Sequence, residues 1–325
     1  MVHQLWHQFP TTEIKLQSLQ DYLLNSIDLP IKPIQSRVIK LFKSGGKLLR
    51  PGFFYLFSEF GDDQDTSALQ AGAAAMEMLH VATLVHDDVI DQSDLRRGIK
   101  TIHKDFGQRN AIYAGDYLFT CYFNELLKTR PNTSELHTQV ESMKRILTGE
   151  LDQMNLRFNL KENPAQYLNE ITGKTAELFK LSCAQGTILT HCDDSIVQLS
   201  EKIGQTIGQA YQIIDDILDY TGDSGKTKKP ILEDLKTGVY TLPLIYALKI
   251  NNKKLKPLLS KKDSLDIESI QEIQNIVITD GGLDAAKQKA DELTQLALSL
   301  IKKLPNQQAR DDIYSLTKML LDRNN

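Results

Sequence analysis

Two aspartate triplets set in apolar sequence limit most sharply what this chain can fold into: Asp87-Asp88-x-x-Asp91 in ATLVHDDVID and Asp215-Asp216-x-x-Asp219 in YQIIDDILDY. At about 100° per residue, Asp215, Asp216 and Asp219 share one arc of a helix with Gln212 inside it. Ile213, Ile214, Ile217 and Leu218 take the opposite side, so one face must be buried while the other carries three like charges. The first triplet has the same arithmetic, with Thr83 and His80 one and two turns earlier on its acidic face. A merely solvated face would mix Lys and Glu at i, i+4 spacing, and these segments do not. Three carboxylates within one turn repel unless cations occupy the site. Oxygen donors without nearby Cys or clustered His select a hard ion, and Mg²⁺ held by a few carboxylates completes its shell with water and substrate phosphate.

The rest of the chain supplies helices to surround them. Apolar residues recur at three-to-four spacing with little period-two alternation, which predicts an all-α protein. Helices are expected over about residues 13–26, 34–43, 66–91, 111–128, 134–156, 164–190, 196–220, 242–250, 267–279, 283–303 and 307–323, with another opening at Arg50-Pro51. No linker, charge block or repeat divides the 325 residues, so one domain over 1–325 is expected. The least helical stretch is 221–241, TGDSGKTKKPILEDLKTGVYT, directly after the second triplet and read as a binding loop or lid. The net charge of -4 argues against nucleic acid or anionic lipid as the main partner. Cys121, Cys183 and Cys192 make neither a complete disulfide set nor a C-x-x-C ligand pair. With no signal-like start and no stretch of 18 uncharged apolar residues, the expectation is a soluble cytoplasmic protein.

Cations of complementary type accompany the triplets. Ser44-Gly45-Gly46-Lys47-Leu48-Leu49-Arg50 puts a flexible turn before two of them, and Asp94-Leu95-Arg96-Arg97-Gly98 follows the first triplet. Lys174-Thr175 and the group Lys226, Lys228 and Lys229 complete the set. Arg offers forked donors to phosphate and Lys a point charge, so the set suits more than one phosphorylated ligand.

Along nearly its whole length the sequence resembles the trans-isoprenyl diphosphate synthases, or polyprenyl synthetases. The resemblance is carried by GGKLLRP at 45–51, HVATLVHDDVIDQSDLRRG at 80–98, GELDQ at 149–153, GKTAELF at 173–179, YQIIDDILDYTGD at 211–223 and KPILEDLKTGVYTLPLIYAL at 229–248. The GELDQM and EDLKTGVYTLPLIYAL segments look most like bacterial hexaprenyl and heptaprenyl diphosphate synthases, including the catalytic component of two-component forms. The resemblance implies an isoprenoid-synthase-type, single-domain helical bundle around a deep central cavity, with two central helices each presenting one triplet. It further implies that Asp87, Asp88, Asp91, Asp215, Asp216 and Asp219 hold about three Mg²⁺ ions against an allylic diphosphate. Arg96, Lys174, Thr175, Gln212 and Lys229 fall where the family binds that diphosphate, Arg96 and Lys174 acting in catalysis. Lys47, Arg50, His80 and Arg97 fall where it binds isopentenyl diphosphate. For His80 alone, a satisfied core histidine is the bland alternative.

Bulky aromatics four and five residues before the first motif close the product cavity in short-chain members. Here Thr83 and Ala82 stand there, so a product of about C30–C40 is expected from a farnesyl or similar primer, as precursor of a quinone side chain. The implied assembly is a homodimer, or a heteromer with a small regulatory subunit, with transient membrane contact during product release. Leu48, Lys228 and Val239 depart from residues frequent in the family, which bears on subfamily and partner. A terpene cyclase would leave Lys47, Arg50 and Arg97 idle, and a non-catalytic subunit would have lost aspartates that are all present here.

Overall fold

The computed structural model describes residues 2–44, 46–221 and 232–322, and these are predominantly α-helical, as the periodicity predicts. In chain order the helices are α1 (Pro10–Asn25), α2 (Lys32–Lys43), α3 (Leu49–Ser58), α4 (Thr66–Ile90), α5 (Ile102–Phe106), α6 (Gln108–Lys128), α7 (Thr133–Leu156), α8 (Pro164–Ile171), α9 (Glu177–Leu189), α10 (Asp194–Thr221), α11 (Glu233–Lys236), α12 (Leu242–Ile250), α13 (Asn252–Leu259), α14 (Ile267–Thr279), α15 (Gly282–Ile301) and α16 (Gln308–Leu321). Two compact units are built from interleaved segments: Met1–Gln139, Leu181–Glu201 and Leu304–Ile313 form the first, and Val140–Lys180, Lys202–Lys303 and Tyr314–Asn325 the second.

The first unit is organised on α4, which packs along α6, α3 and α1. Asp65 starts the helix by accepting from the Ser67 and Ala68 amides at 2.9 and 3.2 Å. Its middle is a run of small buried residues, Ala71 to Ala75, and a Cβ added at Gly72 would lie 2.7 Å from the Phe54 ring. α4 is long and apolar enough to cross a membrane, but most of it is buried as a core helix. Trp6, the single tryptophan, is fully buried and donates its indole N–H to the Lys47 carbonyl at 2.6 Å. Its ring lies on Gly52, where a side chain would collide with it. Lys47 and the start of α3 are thereby held from the N-terminal turn.

After α4 comes an element that helical periodicity does not reveal, a hairpin of β1 (Leu95–Arg96) and β2 (Ile99–Lys100). Its two turn residues, Arg97 and Gly98, have φ of 52° and 76°, the left-handed pair of a type I′ turn. Glycine suits this at no cost, whereas arginine there is strained by about 1 kcal/mol.

The second unit packs α12 against α15 and α14, and sets α10 against α8 and α9. Asn163 and Gln166 form a reciprocal capping box around Pro164 at the start of α8. The helix expected over 164–190 is interrupted by a π-turn, Thr172–Ala176, between α8 and α9. Gly204 and Gly208 let α10 close onto this segment: a Cβ at Gly204 would be 2.6 Å from the Phe179 carbonyl, and one at Gly208 2.5 Å from the Ala176 Cα. Gln212 and Asp216 continue that stripe at the same four-residue step, so the approach that needs glycine also buries Asp216. Gly208→Val is accordingly expected to cost about 1–3 kcal/mol, read as a lower melting temperature, and an unchanged midpoint would sink this packing account.

Candidate active site

The two triplets share one graded exposure. Asp87 and Asp215 are half-buried, Asp88 and Asp216 are buried at 3% exposure each, and Asp91 and Asp219 are exposed. The middle member of each is bound by protein donors. Arg96 directs Nε and a terminal nitrogen at Asp88 Oδ1, at 2.7 and 2.6 Å. Burial raises the Asp88 pKa from its ordinary value against the pull of Arg96. In the second unit the Tyr167 hydroxyl donates to Asp216 Oδ2 at 2.5 Å and the Gln212 amide to Oδ1 at 2.9 Å. Burial raises the Asp216 pKa strongly, opposed by those two hydrogen bonds.

Around α4 the residues matched to isopentenyl diphosphate binding converge in the first unit. The Arg50 guanidinium lies 3.3 Å from His80 Nε2. Burial, then the charges of Arg50, Arg97 and Arg96, hold the His80 pKa well below 6.5, so the neutral ring accepts from Arg50 rather than repelling it. One turn before His80, buried Glu77 has its pKa pushed up to about 7 by burial, tempered by Arg97 and Arg50. The left-handed conformation of Arg97 brings its guanidinium over Gly46, where a Cβ would be 2.6 Å from its nitrogen. Lys47 sits half-buried on the same loop. Leu41, Val81, Leu84, Asp88, Arg96 and Arg97 line a small pocket here. Of the two positions matched to chain length, Ala82 is fully buried and Thr83 half-buried, its hydroxyl donating to the His80 carbonyl at 2.8 Å.

In the second unit the π-turn carries Lys174 and Thr175, in keeping with the frequent use of such turns at functional sites. Lys174 Nζ donates to Glu150 Oε2 and Gln153 Oε1, both at 2.9 Å. Thr175 donates to Gln212 Oε1 at 2.8 Å, so Gln212 is committed at both ends, to Thr175 and to Asp216. α7 and the π-turn touch through glycines, since a Cβ on Gly173 would be 2.7 Å from the Arg145 carbonyl and 2.9 Å from the Gly149 Cα. Glu150, Gln153 and Tyr167 received no role from the sequence, although GELDQ spaces the first two one helical turn apart on α7. Lys229, and with it Lys226 and Lys228, lies outside the described residues.

These donors fit a hard cation. Asp87 with Asp91 and Asp215 with Asp219 are i, i+4 carboxylate pairs at or near the ends of α4 and α10. Among the described residues no group of three His, Cys, Asp or Glu side chains converges on one point. Each pair is of the kind through which Mg²⁺ is ordinarily held, one or two carboxylates completed by substrate phosphate.

The profile of the polyprenyl synthetase family matches residues 32–277. The chain is 33% identical over 322 residues to "Heptaprenyl diphosphate synthase component 2" of Bacillus subtilis, covering 95% of this chain and 91% of that one. Among solved structures it is similar to a geranylgeranyl pyrophosphate synthase from Lactobacillus brevis, at 51% identity and TM-score 0.95, over 98% of this chain and 99% of the other. It is also similar to heptaprenyl diphosphate synthase from Staphylococcus aureus, at 33% identity and TM-score 0.91, over 97% and 99% of the two chains. The chain belongs to the polyprenyl synthetase family: it is a prenyl diphosphate synthase, an enzyme of the prenyltransferase class.

Proposed function

We propose that this enzyme condenses isopentenyl diphosphate with an allylic diphosphate, farnesyl or similar, into an all-trans polyprenyl diphosphate of about C30–C40. The observation that carries the reading is the repeated carboxylate gradient with polar partners at each triplet: Arg96 on Asp88, and Thr175, next to Lys174 on the π-turn, joined through Gln212 to Asp216. Asp87, Asp88, Asp91, Asp215, Asp216 and Asp219 would hold about three Mg²⁺ ions, with Asp88 and Asp216 acting mainly as hydrogen-bonded anchors. Bound there, the metal supplies charge stabilisation for the departing diphosphate. Arg96, Lys174 and Lys229 add donors to the same leaving group as the allylic C–O bond breaks. Lys47, Arg50 and Arg97 hold the diphosphate of the second substrate, whose double bond attacks the allylic carbon. Neutral His80 keeps Arg50 in place without adding a proton-bearing cation to the cluster. One C–C bond forms, one proton is lost to the released diphosphate, and no side chain is assigned as base.

Product length has two readings. Thr83 in place of an aromatic residue supports the longer chain, as does the 33% identity to a heptaprenyl synthase component. A C20 product is favoured by the 51% identity to a protein named as a geranylgeranyl pyrophosphate synthase. Purified chain with Mg²⁺, farnesyl diphosphate and isopentenyl diphosphate is expected to give products beyond C25, shortened by Thr83→Phe. A distribution ending at C20 would replace the first reading with the second.

The same assay bears on assembly. Ile112, Tyr113, Phe123 and Leu127 on α6, and Val140, Leu147, Leu151 and Met154 on α7, are large apolar side chains left exposed, which supports a homodimer. Activity only after a second chain is added would instead support a heteromer, as the name "component 2" suggests for the heptaprenyl diphosphate synthases of Bacillus subtilis and Geobacillus stearothermophilus. Three free thiols support a reducing, cytoplasmic setting, and a long polyprenyl tail would require transient membrane contact for release before it serves as a quinone side-chain precursor.

A further inference from the structure

We propose that Glu170 is a positioning residue for Lys174, acting through the side-chain amide of Gln153. Gln153 Oε1 accepts from Lys174 Nζ at 2.9 Å, while its Nε2 donates to Glu170 Oε1 at 2.6 Å. A primary amide has one acceptor end and one donor end, and turning it over would aim N–H groups at the ammonium. Glu170 at 3% exposure offers an acceptor where the amide needs one, so it selects the orientation that holds Lys174. Glu170 also stands one turn after Tyr167 on α8, so a single helix serves Asp216 directly and Lys174 at one remove.

The carboxylate is kept at a cost to folding. Burial, the largest influence, pushes the Glu170 pKa up to about 7, above 4.5, despite the Gln153 hydrogen bond and the Lys174 charge. A residue serving only to fill space would be better apolar. Its carboxyl feels the charges of Lys174, Glu150 and Asp152, and in turn raises the pKa values of Glu162 and Tyr167.

This inference rests on Lys174 binding the allylic diphosphate, and the experiment separates the two. KM for farnesyl diphosphate, KM for isopentenyl diphosphate, kcat and the melting temperature at pH 8 are measured for the full-length chain and its variants. Glu170→Met is expected to raise the farnesyl diphosphate KM about tenfold, to leave the isopentenyl diphosphate KM within twofold, and not to lower the melting temperature. Glu170→Gln, which keeps an acceptor oxygen, should stay within threefold of the parent. Gln153→Leu should match Glu170→Met, and the double variant should add little to either single change. If Glu170→Met does not fold, Gln153→Leu carries the test, and an unchanged farnesyl diphosphate KM there overturns the proposal. Equal rises in both KM values for Glu170→Met overturn it too, as does a loss in Glu170→Gln as large as in Glu170→Met. Lys174→Met is the control: no effect on farnesyl diphosphate KM removes the underlying assignment, whereas a large effect with a silent Glu170→Met removes only the positioning role.

Discussion

Asp87→Ala is expected to lower kcat by about 10²–10³ with a change of less than threefold in the KM for isopentenyl diphosphate, because it removes a metal-type ligand from the leaving-group side alone. Asp87 is half-buried on the last turn of α4, whereas Asp88 is buried and held by Arg96. Asp88→Asn should therefore act differently, loosening Arg96 and raising the KM of the allylic diphosphate along with a fall in kcat. Excess chelator should abolish the activity of the parent enzyme, and Mg²⁺ should restore it. A kcat within tenfold of the parent for Asp87→Ala, at saturating Mg²⁺, would remove the first triplet from the metal site.

Without metal, the folded chain should be less stable at pH 8.5 than at pH 6.5, by about 2–3 kcal/mol in chemical denaturation. Burial pushes Glu77 and Glu170 up to about 7 and Glu162 up to about 8, the last two also raised by other carboxylates nearby. A raised carboxylate pKa means that the native state binds more protons than the unfolded chain, so stability falls as pH rises through the folded values. The burial of Glu77 and Glu170 at 3% exposure and of Glu162 at 7% leaves little water to screen this. His80 works in the opposite direction, chiefly near and below 6.5, where the unfolded ring takes up a proton that the native ring resists. Asp216, whose pKa burial also raises, shifts stability in the same direction, and stability that is flat or rising across 6.5–8.5 would contradict the burial of these carboxyls as ionisable groups.

Legibility in the sequence followed the range of each interaction. The helices 242–250 and 267–279 match α12 and α14 end to end, because their signals are local periodicity and turn residues. The helix expected over 164–190 is broken at Thr172–Ala176, since a π-turn changes the hydrogen-bond register without disturbing the apolar pattern. The hairpin at Leu95–Arg96 and Ile99–Lys100 was invisible for a similar reason: two residues per strand are too few for any period to register. α13 lies outside the expected helices, its eight residues being too few for the apolar period to stand out.

By itself the sequence determined the all-α class, the two acidic helix faces and the kind of ligand they suit, because each follows from residue type and spacing within a turn or two of one helix. Only the tertiary structure decided which aspartates are buried. Asp88 and Asp216 are buried and bound, the one by Arg96 eight residues on, the other by Tyr167 some 49 positions earlier in the chain. The same holds for Lys174, whose partners Glu150 and Gln153 sit on α7, brought close because Gly149 and Gly173 meet without side chains between them. Those contacts depend on how closely separate helices approach. That distance is set by packing across the fold, and no local run of residues encodes it.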